Sequence, residues 1–214
     1  MTPLCKHNSN QGFTLIEILV VMALGLVVLG AVLSIFIKQN ETSTAQQEIT
    51  YAQQNVRAAM DLMVREIRNA GYDPQRNDFD AIKTAKGDEL RILSNLDGDD
   101  EAGHDPDDAN EDVTYSVNAF FQLERNGNIL VNSPCGLAFG YVLADGTVHD
   151  PPAPGDPPLD LSNIGGADQR DEVRAVIIFV AVMTANPAPD TGEYRMRPLM
   201  NAVRIRNLGF KDIE

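Results

Sequence analysis

The sequence contains no tryptophan, two cysteines and three histidines, and basic side chains are far outnumbered by acidic ones. Each shortage excludes something. With Cys5 and Cys135 alone, one intramolecular disulfide is the most the chain could form. A zinc site needs more Cys or a close His pair, and His7, His104 and His149 are scattered. Seventeen Lys and Arg against 31 Asp and Glu leave a formal charge of −14. Nucleic acid is thereby excluded as a partner, because a phosphate binder needs a basic face. Adhesion to anionic lipid is disfavoured for the same reason. Motifs of catalysis are missing as well: there is no nucleophile elbow, P-loop, dinucleotide fingerprint or zinc-protease helix. Nothing in the sequence asks for an enzyme.

What is present begins with an apolar run. Phe13 to Ile37 are twenty-five residues with one charged side chain, Glu17. About 20 apolar residues cross a bilayer core, so the run is long enough. A cleaved secretory signal would have an apolar region of only about 7–15 residues ending in a small-x-small site. Ile35-Phe36-Ile37-Lys38 is no such site, and the segment is expected to stay with the protein. A carboxylate well inside a membrane span costs about 3 kcal/mol or more, which marks it as functional by default. Position alone leaves a second reading, a chance acid near the water interface.

The residues around Glu17 decide between them. Gly12-Phe13-Thr14-Leu15-Ile16-Glu17 stands behind a short polar leader carrying Lys6 and directly ahead of the apolar run. This hexapeptide resembles the class III signal of type IV prepilins and type II secretion pseudopilins. The resemblance implies cleavage by prepilin peptidase between Gly12 and Phe13 and N-methylation of the new Phe13 amine. It also implies that Glu17 pairs with the Phe13 amine of a neighbouring subunit during assembly. A buried acid and a buried amine each lose hydration, and each relieves the other's penalty. With leader 1–12 removed, Cys5 goes too and Cys135 remains single, a small apolar residue by default.

Beyond the span at 13–37, Ile49, Ala52, Val56, Met60, Met63, Ile67 and Ala70 recur at three- and four-residue steps. That spacing predicts an amphipathic helix over 38–70 that continues the span and offers one apolar stripe to a head. Asn69-Ala70-Gly71-Tyr72-Asp73-Pro74 reads as its stop. Residues 71–214 then switch to short strands. Glu89–Asn95 alternates loosely, and Asp112–Asn118 alternates cleanly with Val113, Tyr115 and Val117 on one face. Phe120–Glu124 and Ile129–Asn132 flank the hairpin turn at Asn126-Gly127. Glu172–Thr184 is the strongest strand and a central one, because its β-branched content favours a strand and it is too short to span a membrane. Tyr194–Arg197 and Ala202–Asn207 complete an antiparallel sheet, while 150–160 and 186–190 read as proline-rich loops. His149 falls in a turn by composition, and nothing specific marks Gly136–Arg170. The expected fold is α+β: a long N-terminal helix laid on an antiparallel head.

Three stretches narrow the resemblance. Gln53 to Tyr72, the acidic run leading into Asp112-Val113-Thr114-Tyr115-Ser116, and Val203-Arg204-Ile205-Arg206-Asn207-Leu208 resemble PilW-like minor pilins. The J-type minor pseudopilins of type II secretion share much of this plan. The resemblance implies a single-pass inner-membrane protein with a periplasmic head that later enters a pilus. Its implied partners are prepilin peptidase, major and minor pilins and the inner-membrane assembly platform. Two functions follow, a minor pilin in initiation or tip assembly or a minor pseudopilin of a secretion system; a third, of another class, is a membrane-anchored periplasmic binding or enzymatic domain whose leader resembles the prepilin signal by chance.

The acid is concentrated. Nine of the sixteen residues from Asp97 to Asp112 are Asp or Glu, with no Lys or Arg among them. Calcium takes six to eight oxygens, and Asp97, Asp99, Glu101, Asp105 and Asp107 could supply several. The run is not an EF-hand, since Ala102 occupies the Gly position and Asp108 the Glu position. A solvated acidic loop is the rival interpretation. No cofactor is required by anything in the chain, and Ca²⁺ is the one candidate.

Overall fold

In a computed structural model the described residues are 13–74, 79–98, 110–153, 156–157, 159–164, 167–183, 194 and 196–207. The chain divides into two compact units, residues 1–44 and 45–214. One helix, α1 (Leu15–Asn69), supplies residues to both.

In the first unit α1 is apolar on every side from Ile18 to Ile37, and its large side chains from Leu15 to Ile37 are exposed. A helix with no polar face is at home in an apolar medium. This one is long and apolar enough to cross a membrane.

In the second unit α1 becomes one-sided. Ala52, Val56, Ala59, Met60, Met63, Ile67 and Ala70 are buried at steps of three and four, as the spacing predicts; Ala59 joins the stripe and Ile49 is only half-buried. Gly71 ends the helix with φ 71°, the left-handed conformation that glycine adopts without a Cβ penalty. Its N–H then donates to the Leu93 carbonyl at 2.8 Å, tying the helix end to the sheet.

The strands form two antiparallel sheets, where the sequence led us to expect one. The first is a meander of β1 (Ile82–Ala85), β2 (Leu90–Leu93), β3 (Asp112–Val117), β4 (Leu123–Arg125) and β5 (Asn128–Val131). Asn126 and Gly127, at φ 50° and 73°, make the β4–β5 turn, the positive-φ pair a two-residue hairpin demands. The Asn126 side chain reinforces it by accepting from the Thr114 N–H and donating to the Asp112 carbonyl. The second sheet has the order β7-β6-β8-β9, from β6 (Cys135–Leu143), β7 (Val148–His149), β8 (Val173–Met183) and β9 (Met196–Arg204). Strand β8 is central, as expected from its composition.

Strands β1, β6 and β7 were not foreseen. In β6 the glycines conceal the pattern. A Cβ on Gly140 would lie 2.6 Å from the His149 carbonyl oxygen, so the close approach of β7 requires glycine there. His149, expected in a turn, sits half-buried on β7. Strand β9 is continuous where two strands were expected around Pro198, because on an edge strand proline can leave its missing N–H facing outward. The stripe of α1 and the inner faces of both sheets share one core, with Tyr115, Phe139, Tyr141 and Ile178 fully buried. The arrangement is α+β and pilin-like.

Candidate functional site: the N-terminal turn and the acidic run

Phe13 and Glu17 lie in the first unit, at the start of α1; Gly12 lies outside the described residues. Phe13 is 80% exposed and stands two residues before the helix. Thr14 caps it: its hydroxyl oxygen accepts from the Glu17 N–H at 3.3 Å, and its carbonyl accepts from the N–H groups of Glu17 and Ile18. A helix begins with N–H groups that have no partner within the helix, and here Thr14 satisfies one of them from its side chain. Thr14-Leu15-Ile16-Glu17 has the Thr-x-x-Glu spacing of a capping box. These four contiguous residues mark the helix start in the sequence itself.

Glu17 therefore stands in the first helical turn, near the positive end of the helix dipole, which favours a carboxylate there. It is the one acid on a surface otherwise made of exposed Leu, Ile, Val and Met. Such a helix end presents a capped turn, a single carboxylate and a broad apolar flank. Chemically it can bury hydrocarbon all round and offers one negative charge for a cation to meet.

The acidic run belongs to the second unit. Asp97 is described, whereas Asp99, Glu101, Asp105 and Asp107 lie outside the described residues. The structure shows what the ends of the run do. Glu111 is buried, and its carboxylate accepts from the N–H of Leu96 and, at 3.1 Å, from that of Asp97, closing the base of the run. Asp112 takes a two-pronged bond from Arg91 of β2 at 2.9 and 2.5 Å, and the hydrogen bond to that carboxylate pushes the Arg91 guanidinium above its ordinary range. Two of the nine acids are thus engaged by main-chain amides and by an arginine across the β2–β3 ladder. Among the described residues, no group of three or more His, Cys, Asp or Glu gathers as a metal site.

A largely buried polar cluster escaped the sequence entirely. Glu66 of α1 meets Arg125 of β4 at 2.9 Å and accepts the Tyr115 hydroxyl of β3. Burial, with the hydrogen bond to Glu66, pushes the Tyr115 phenol well above its ordinary range. Glu66 and Arg125 are 59 residues apart, so no local pattern announces them. Cys135 is buried and unpaired by any disulfide, and burial pushes its thiol up.

Two families match the chain. A prokaryotic N-terminal methylation motif covers residues 7–33, which include Gly12, Phe13 and Glu17. Prepilin peptidase-dependent protein B matches residues 45–150, starting where the second unit starts. No curated protein and no solved structure gives a significant match. The motif and the domain match together imply processing by prepilin peptidase and partners of the pilin type.

Proposed function

For a chain that is a type IV minor pilin or pseudopilin-like protein, a subunit of a pilus or pseudopilus system, we propose the finer role of a PilW-like minor pilin. In this role it is a structural subunit in initiation or tip assembly of the filament. Prepilin peptidase cuts between Gly12 and Phe13, the Phe13 amine is methylated, and α1 waits in the inner membrane with its second unit in the periplasm. Assembly then transfers the apolar half of α1 from lipid into a bundle of like helices. The inner-membrane assembly platform and the major and minor pilins are its partners, and it performs no catalysis.

The observation that carries this is Glu17: a carboxylate at the fifth position after the cut, in the first turn of a helix whose N-terminal part is exposed and otherwise apolar. In lipid the acid is costly. Beside the new amine of a neighbouring subunit the two charges offset each other, and the cost becomes a preference for assembly in one register. Thr14 supports the arrangement by holding the first turn closed.

A deletion strain scored for surface pili, twitching and protein secretion tests the role. Loss of pili and twitching with secretion intact is the result expected of a minor pilin. Loss of secretion alone assigns the protein to a type II secretion pseudopilus instead.

A further inference from the structure

Four arginines in this strongly acidic chain converge on one cavity. Arg68 of α1, Arg174 of β8, Arg204 of β9 and Arg206 just beyond it line a hollow of about 340 Å³ with Ala202. The chain alternates there by design of the strand period: Val203 and Ile205 turn into the core, while 202, 204 and 206 turn out. The main chain fixes the walls, with the Arg206 N–H donating to the Arg68 carbonyl and the Ile205 N–H to the Arg174 carbonyl at 3.0 Å. Arg174 is itself held, donating to the carbonyls of Asp171 and Val173. Among the described residues, no carboxylate stands within ion-pairing distance of Arg68, Arg204 or Arg206. By contrast Arg91, Arg125 and Arg170 each have one.

We propose that this cavity is a docking site for a carboxylate-bearing segment of a neighbouring pilin-type subunit. The inference rests on the assembly role above for the existence of such a neighbour. Guanidinium groups present a planar fork that matches a carboxylate with two parallel bonds, and several forks around one hollow favour adjacent Asp or Glu side chains. Size points the same way, because a hollow this small receives a few side chains, whereas a polyanion would need an extended groove. So does charge. A molecule at −14 repels polyanions and anionic membranes at long range. A short acidic motif presented by a folded neighbour meets the arginines at contact distance, inside the ~8 Å over which physiological salt leaves charges unscreened.

The test places a photo-reactive amino acid at the exposed position Ala202 of the full chain, in cells that assemble the filament, and identifies the cross-linked peptide by mass spectrometry. The expected product joins Ala202 to a peptide of another prepilin-type subunit with at least one Asp or Glu beside the cross-linked residue. Arg204→Glu with Arg206→Glu should lower the yield on the order of tenfold or more, as loss of close interfacial charge pairs does. The milder Arg204→Gln with Arg206→Gln, which asks less of the strand, should lower it in the same direction. Cross-linking to lipid, to a peptide without acids, or with a yield indifferent to both double variants overturns the proposal, as does no cross-link at all. The Phe13 N-terminus of the same samples separates two failures: a methylated Phe13 without the acidic cross-link sinks the docking site alone, and an unprocessed chain sinks the assembly role beneath it.

Discussion

Glu66 on α1 and Arg125 on β4 form a two-pronged ion pair, with Arg125 Nη2 at 2.9 Å from one carboxylate oxygen and Nε at 3.1 Å from both. The Tyr115 hydroxyl donates to the same carboxylate. The helix that carries the N-terminal motif is thereby bonded to the meander. Removing one partner strands the other in a site where only 15% of the arginine and 20% of the glutamate side chain remain exposed. Arg125→Ala or Glu66→Ala should cost about 2–3 kcal/mol, at or below the bottom of the range for breaking a fully buried pair, because this one keeps some solvent. The double variant Glu66→Gln with Arg125→Met should cost less than the two single losses together. Thermal unfolding of the full chain in detergent measures this.

Met63 and Met22 lie on the same helix in opposite circumstances. Met63 is fully buried in the core beneath the sheets, whereas Met22 is 67% exposed on the apolar half. Met63→Ala is expected to destabilise the second unit by about 2–5 kcal/mol through lost burial and the cavity left behind. Met22→Ala should leave its melting temperature unchanged. Parallel melts of the two variants distinguish a core position from an exposed one.

The acidic run offers a direct choice between two physical states. Calcium coordination by Asp97, Asp99, Glu101, Asp105 and Asp107 predicts heat on titration and a raised melting temperature, since a ligand that binds only the folded chain stabilises it. A solvated loop predicts neither. Isothermal titration of the full chain with Ca²⁺ decides, and Glu111 and Asp112 are expected to contribute little because amides and Arg91 already engage them.

Much of this was legible in the sequence wherever the signal was local. The apolar run, the stop at Gly71, the Asn126-Gly127 turn and the β-branched strand β8 are each written in a few contiguous residues. Gly12-Phe13-Thr14-Leu15-Ile16-Glu17 is contiguous too, and the methylation motif covers it. What stayed hidden depends on distant residues. Gly136 and Gly140 make β6 look like a loop until β7 is seen pressing against Gly140. Pro198 looks like a strand breaker until β9 proves to be an edge. The division into two sheets, the Glu66–Tyr115–Arg125 cluster and the four-arginine cavity join residues far apart in sequence, which no periodicity records.

Glu17→Ala should separate folding from assembly. The residue lies in the first unit, exposed and remote in sequence from the core stripe that starts at Ala52. The variant is expected to keep the wild-type melting temperature of the second unit and to enter filaments poorly, as judged by the chain recovered in sheared pili. Normal incorporation of Glu17→Ala would contradict the pairing of this carboxylate with a neighbour's amine.

The most direct measurement is the mass of the N-terminal peptide from cells with an active prepilin peptidase. A methylated Phe13 at the first position is the expected result, with a single thiol, Cys135, left in the denatured chain. A chain that still begins at Met1 and carries both Cys5 and Cys135 would contradict it, because Glu17 would then have no freed amine to meet.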